Sequence, residues 1–122
     1  YGEISIGDIH LGLNEIESTL YRIYINHLQG IENKNLHKYK DELLKIYGTY
    51  KEQNELAIDN LIRPTNQGES TLATHKSHIN SKLKKKLNSL ADFYIIKGKT
   101  YKKFYITLCQ MKELVENKKK TN

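Results

Sequence analysis

The segment 70–90 constrains the fold most, because its residues separate into two opposite faces at helical spacing. At 100° per residue, its aliphatic residues fall within about 80° of one another; they are Leu72, Ile79, Leu83, Leu87 and Leu90. The opposite side carries hydroxyl, imidazole and ammonium groups, from Thr74, Ser77, His78, Ser81, Lys84 and Lys85. Ser70 or Thr71 can cap the segment. The pattern predicts a helix that buries one face and exposes the other.

The N-terminal segment 3–12 predicts a pair of short strands. Apolar and polar residues alternate, but the alternation changes phase at Gly7-Asp8. A strand of period two cannot change phase without a turn or a bulge. Gly7-Asp8 suits a two-residue hairpin turn, in which glycine supplies a positive φ.

Two helices are predicted in the segment 13–47. Asn14, followed three residues later by Glu17, forms a capping-box pattern for the first helix. A second helix starts at Asn33 or Asn35 and ends at Gly48. Each carries an apolar stripe, but Tyr21 and Ile25 lie outside the stripe of the first helix. These two residues are covered either by another helix or by a second copy of the chain.

The remaining segments predict a connector, a hairpin and a tail. Residues 48–69 are interpreted as a connector, in which 54–62 can form a short helix before the turn-forming residues 64–68. Residues 93–108 contain two β-branched and aromatic runs around a lysine-rich centre, which predicts a β-hairpin with a basic tip. Tyr94, Phe104 and Tyr105 are expected to pack in its sheet. Residues 109–122 are expected to form a tail.

Length and composition limit the chain to one globular domain. It has 122 residues, of which 38% are hydrophobic and 28% charged, enough apolar material for one core. No apolar run approaches the roughly 20 residues that a membrane-spanning helix needs. Cys109 is the only cysteine, which excludes an intramolecular disulfide and a thiolate metal cage. We expect a cytoplasmic protein without membrane contact.

Positive charge is concentrated in the second half of the chain. The net charge is +6, and residues 70–108 hold nine lysines against one carboxylate, Asp92. A basic region of this kind favours polyanionic partners. His75 and His78 lack a third metal ligand at a motif spacing, Cys109 has no nearby histidine to activate it, and no nucleophile elbow, phosphate loop or dinucleotide motif is present. We therefore expect no metal, no cofactor and no enzymatic activity.

Three sequence patterns carry a family resemblance. Leu13-Asn14-Glu15-Ile16-Glu17 opens the first helix, and His78-Ile79 precedes Leu83-Lys84-Lys85-Lys86-Leu87 in the basic helix. The hairpin contains Tyr94-Ile95-Ile96-Lys97-Gly98 and Phe104-Tyr105-Ile106. With the order of elements, these patterns resemble the winged-helix DNA-binding domain of the OmpR/PhoB response-regulator effector family. The resemblance implies an α+β fold, with a three-helix core, N-terminal strands and a C-terminal hairpin wing.

The resemblance also implies a function in bacterial transcription regulation, through double-stranded DNA. The helix 70–90 is then the recognition helix, with Thr74, Ser77, His78 and Ser81 toward base edges in the major groove. Phosphate contacts are expected from Lys82, Lys84 and Lys85 on the helix and from Lys97, Lys99, Lys102 and Lys103 on the wing. Tyr101 is expected to donate a hydrogen bond to a phosphate or to enter the minor groove.

Other functions fit the same surface. A winged helix can instead bind an acidic protein, or form a homodimer through Tyr21 and Ile25 without binding DNA, because fold alone does not determine function. RNA is a further polyanionic partner. Solvation alone also explains a lysine-rich helix face.

Overall fold

Four α-helices and two small antiparallel sheets make up the part of the chain that the structure describes. The structure is a computed structural model, and it describes residues 4–49, 55–63, 71–98 and 103–106. The predicted α+β class is confirmed. The predicted tail 109–122 lies outside the described residues.

The N-terminal hairpin forms as its alternation predicts. Strands β1 (Ser5–Ile6) and β2 (Ile9–His10) pair antiparallel. The turn between them places Gly7 at φ +59°, a conformation that costs glycine little. Ile4 and Leu11 are buried on the core side, and the Leu11 amide donates to the Ile4 carbonyl at 3.1 Å.

Helix α1 (Glu15–Asn26) starts at the predicted capping box. The Glu17 amide donates to Asn14 Oδ1 at 2.9 Å, and the Asn14 amide donates to Glu17 Oε1 at 3.0 Å. Both bonds satisfy amides that have no partner within the helix.

Tyr21 lies in the core and not in a dimer seam. Its side chain is fully buried, and its hydroxyl donates to the Tyr94 carbonyl at 2.6 Å. The predicted homodimer contact through Tyr21 is therefore wrong, since this residue offers no surface to a second copy. Tyr21, which lies outside the apolar stripe of α1, is thus covered by other residues of the same chain and not by a second copy.

The second predicted helix has two parts and a short strand before it. Strand β3 (Ile31–Glu32), which the sequence did not indicate, leads into a 3₁₀ helix over Asn33–Tyr39 and then into α2 (Lys40–Tyr47). A Cβ on Gly30 would lie 2.9 Å from Lys103 Cβ. The chain can therefore enter β3 close to the strand that contains Lys103 only because residue 30 is glycine.

The segment interpreted as a connector contributes to the core. Helix α3 (Glu55–Ile62) occupies the part for which a short helix was considered, and Ile58 and Leu61 are fully buried. Their spacing of three places them on one side of the helix. The connector interpretation is thus corrected over α3; residues 50–54 and 64–70 lie outside the described part.

Helix α4 (Leu72–Leu87) is shorter than predicted. Its last residue is Leu87, and the C-cap residue Asn88 has φ +53°. A 3₁₀ helix follows over Asn88–Phe93. Leu90 was predicted to extend the buried face, but it is 53% exposed. The correction follows from the change of helix type, because the α-helical phase stops at Leu87.

The second sheet joins the hairpin to β3. Strands β4 (Ile96–Lys97) and β5 (Lys103–Ile106) pair antiparallel, and the sheet order is β3-β5-β4. The first predicted hairpin strand is wrong over residues 93–95, because the end of the 3₁₀ helix, a turn and a bend occupy those positions. Tyr94 is buried and Phe104 half-buried as expected, but Tyr105 faces outward and is 41% exposed.

The sheet packs against the helices to form one core. Ile31, Ile96 and Ile106 are buried, together with residues from all four α-helices. Among the described residues, no helix combines the length and the apolar character needed to cross a bilayer.

Candidate nucleic-acid interface

The outer side of α4 presents a continuous polar and basic face. All six side chains predicted there are exposed: Thr74, Ser77, His78, Ser81, Lys84 and Lys85. Leu72, Ile79, Leu83 and Leu87 are buried on the opposite side. The predicted division of the helix is confirmed over this length. We call the six exposed side chains the α4 face.

Within the described part of the chain, none of the six side chains of the α4 face takes part in a hydrogen bond or an ion pair. Exposed hydroxyl and ammonium groups that keep their hydrogen-bonding capacity can all serve a ligand. Helices of this shape fit the major groove of B-DNA, and hydroxyls and lysines contact phosphates and base edges.

Lys82 differs from its neighbours because it is paired within the chain. Its Nζ lies 2.6 Å from Oε1 of Glu17, a residue that is only 2% exposed, and it donates to the Gly12 carbonyl at 3.3 Å. The pair joins α4 to the N-terminus of α1. A charge that neutralises a buried carboxylate is not free to neutralise a phosphate, so we leave Lys82 out of the interface.

The β4–β5 hairpin, which was predicted as the wing, contains two described lysines. Lys97 on β4 is half-buried, and Lys103 on β5 is exposed. Tyr105 pairs with Lys97 across the hairpin. Lys99, Tyr101 and Lys102, which were predicted as wing contacts, lie outside the described residues.

Asn80 connects α4 directly to β4. Its Nδ2 donates to the Ile96 carbonyl at 2.9 Å, and the Ile96 amide donates to its Oδ1 at 2.8 Å. The side chain therefore satisfies both backbone groups of the first residue of β4. The sequence does not indicate this role of Asn80, because an asparagine on the flank of a helix has no distinctive spacing.

Lys76 is a second residue that sequence analysis missed. It is 7% exposed, its Nζ donates to Asn33 Oδ1 at 2.7 Å, and the same atom lies 3.1 Å from the centre of the Phe104 ring. Burial lowers the pKa of Lys76 from 10.5 to about 7. The aromatic ring favours the charged form and opposes that shift. One signal was present: Lys76 falls in the aliphatic stripe with Ile79 and Leu83.

His75 lies at the edge of the α4 face and is half-buried. Burial lowers its pKa, the carboxylate of Glu17 opposes the change, and His78 adds to it. The lowered pKa favours the neutral form of His75, so burial reduces the charge that this side chain can bring to the interface. Within the described residues, no three His, Cys, Asp or Glu side chains are grouped as a metal site requires.

Lysines elsewhere contrast with those of the α4 face. Lys40 on α2 lies 2.6 Å from Glu55 and 2.9 Å from Asp59 on α3. Its hydrogen bonds to these carboxylates raise its pKa, that to Glu55 most. The charge of Lys40 is thus balanced locally, whereas Lys84 and Lys85 have no carboxylate partner in the described structure.

A comparison with protein-family models, curated proteins and solved structures finds no match for this chain.

Proposed function

We propose that this protein is a DNA-binding module of the winged-helix type, in which α4 contacts the major groove and the β4–β5 hairpin contacts the backbone. The observation that carries the proposal is the α4 face. Six polar or cationic side chains lie exposed along three turns of one helix, without internal partners in the described structure, and the opposite face of the helix is anchored in the core.

The arrangement around α4 supports this architecture. The helix is followed by a hairpin that is hydrogen-bonded to its flank through Asn80. Helices α1, α2 and α3 precede it, so the helical core has one helix more than the three that the resemblance implies.

The chemistry of the face assigns each group a role. Lys84 and Lys85 act as point charges on phosphates, because an ammonium lacks the planar fork of an arginine. Thr74, Ser77, His78 and Ser81 are placed to meet base edges, where hydroxyls discriminate less than bidentate side chains do. We therefore propose semi-specific recognition. Its biological setting in this proposal is that of a cytoplasmic bacterial transcription regulator or its effector domain.

A charge-reversal experiment tests the proposal. Fluorescence anisotropy with a labelled duplex would compare the wild type with the double variant Lys84→Glu and Lys85→Glu. The variant lacks two charge-assisted hydrogen bonds to phosphate, each worth about 1.5 kcal/mol, which predicts a decrease of roughly 100-fold in affinity.

The matched control is the double variant Lys38→Glu and Lys45→Glu. Both residues are exposed, and they lie on the 3₁₀ helix Asn33–Tyr39 and on α2, so the net charge changes equally away from the α4 face. Equal decreases in the two variants would show attraction by net charge alone and would refute the assignment to α4. Absence of DNA binding by the wild type would instead favour an acidic protein partner.

A further inference from the structure

The side chain of Asn80 on α4 forms hydrogen bonds to the edge strand β4. β4 lies at the edge of its sheet, and edge strands present backbone groups without strand partners. At Ile96 the carboxamide of Asn80 pairs with both the amide and the carbonyl, at 2.8 and 2.9 Å. Asn80 thus supplies at this edge the two hydrogen bonds that a further strand would supply.

The helical position of Asn80 determines where the wing lies. Asn80 follows Ser77 by three residues and precedes Lys84 by four, so these side chains share one flank of α4. Because Asn80 binds Ile96, β4 runs beside this flank. The opposite flank is taken by Lys82, which is bound to Glu17 of α1. The exposed α4 face therefore lies between two flanks of the helix that are both bound to other elements. The wing lies on the flank next to Ser77 and Lys84.

The base of the hairpin is fixed on its second strand as well. Phe104 of β5 lies against the Nζ of Lys76, one helical turn before Asn80. A Cβ on Gly98, just after β4, would lie 2.8 Å from Cδ2 of Phe104. The two strands are thus closely packed where the hairpin leaves the sheet.

Asn80 itself is not available to read a base. A carboxamide is the side chain that pairs bidentately with adenine, but both its functional atoms are bonded to Ile96. The side chain most suited to base recognition on this helix therefore holds the wing instead.

We propose that Asn80 is a positioning residue, which fixes the wing so that the α4 face and the lysines of the hairpin base, Lys97 and Lys103, contact one DNA duplex together. This inference rests on the proposed DNA-binding function. It predicts that without Asn80 the helix still binds, but the wing lysines no longer add to the affinity.

A double-mutant cycle tests the coupling. The double variant Lys97→Ala and Lys103→Ala is measured in the wild type and in Asn80→Ala, by duplex anisotropy at several salt concentrations. In the wild type we expect the log–log salt slope to fall by about 0.9 for each phosphate that is no longer neutralised. In Asn80→Ala we expect the lower slope already, and less than about a twofold further decrease in affinity on removal of the lysines.

Asn26→Ala is the matched control, because Asn26 is an exposed helical asparagine whose side chain donates one hydrogen bond, to Glu42. It should leave the slope and the effect of the lysines unchanged. Amide hydrogen exchange of the free proteins should show faster exchange of Ile96 in Asn80→Ala and unchanged exchange in α4. If Asn80→Ala does not fold, Asn80→Asp, which keeps the acceptor for the Ile96 amide and removes the donor, replaces it in the cycle.

The outcomes separate this inference from the proposed function. Equal effects of the lysine substitutions in both backgrounds would overturn the positioning role, while DNA binding by α4 stands. Lysine substitutions without effect in the wild type would overturn it too, because the wing would then not touch DNA. A wild type without salt-dependent binding would overturn both.

Discussion

The ammonium group of Lys76 lies near the rings of Tyr24 and Phe104 and donates a hydrogen bond to the amide oxygen of Asn33. Among the described residues it has no carboxylate partner. A buried ammonium without a counter-charge gives up hydration that these neighbours only partly replace. Its pKa near 7 in the folded protein, against 10.5 in the unfolded chain, makes stability depend on pH. Between these two values the unfolded chain binds a proton that the folded protein does not.

Stability is therefore predicted to rise with pH above about 7, as the folded protein loses the buried charge. The free energy of unfolding, from urea titrations between about pH 7 and 9.5, should increase in the wild type. Above that range Tyr21, whose pKa is raised by burial and by Tyr94, acts in the opposite direction. Lys76→Met should remove the increase and stabilise the protein most at low pH. Parallel pH profiles for the two proteins would contradict this account.

Lys82 gives a second prediction at the same scale, because its role in the structure is internal. Lys82→Met leaves the buried Glu17 carboxylate with the Asn14 amide but without its cation. We expect a decrease of about 1–3 kcal/mol in the free energy of unfolding, the cost of an unsatisfied buried polar group. The salt slope of DNA binding should stay near that of the wild type. A lower slope with unchanged stability would restore Lys82 to the interface.

Elements with local signals were predictable from the sequence. The capping box of α1 depends on two residues three apart, and the turn at Gly7 depends on a single positive φ. The two faces of α4 follow from the helical spacing of its apolar residues, which requires no contact with another element. Each of these signals is complete within a few residues, so the sequence alone was sufficient.

Elements that depend on distant partners were not predictable. β3 has two residues and exists through pairing with Lys103 and Phe104, about seventy positions later. Phe93 belongs to a type often found in strands, but the 3₁₀ helix ends at that position, where the amides of Tyr94 and Ile95 both donate to the Ala91 carbonyl. A tertiary contact thus creates β3, whereas local hydrogen bonds to the Ala91 carbonyl override the strand propensity of Phe93.

Gly98 provides a prediction at the level of the hairpin. It adopts φ +150°, and an added Cβ would lie 2.9 Å from the Lys103 carbonyl oxygen as well as close to Phe104. Gly98→Ala should therefore cost roughly 1–3 kcal/mol through backbone strain and overpacking. Thermal unfolding followed by circular dichroism measures the change, with Gly48→Ala as a control, since Gly48 has φ −63°. Equal melting temperatures for Gly98→Ala and the wild type would contradict the tight packing at the hairpin base.

Across the whole molecule, some lysines are paired with carboxylates and others are exposed to solvent without such a partner in the described structure. Lys40 and Lys82 are paired with carboxylates, whereas Lys84, Lys85 and Lys103 are exposed without such partners in the described structure. The sequence predicted the α4 face residue by residue, because burial of one face forces the other outward. It could not predict that Lys82 is paired with Glu17 or that Asn80 bonds β4, since both contacts cross from one element to another.

In the proposed function, the α4 face and the β4–β5 hairpin bind duplex DNA through its phosphates. The most direct test is the affinity of the wild type for a random-sequence duplex, measured by fluorescence anisotropy between about 50 and 200 mM salt. If six to ten phosphates are neutralised, affinity should fall by roughly 10³ to 10⁵ across this range. A titration that stays flat up to about 100 μM protein at the lowest salt, the weak end of non-specific DNA binding, would contradict the claim.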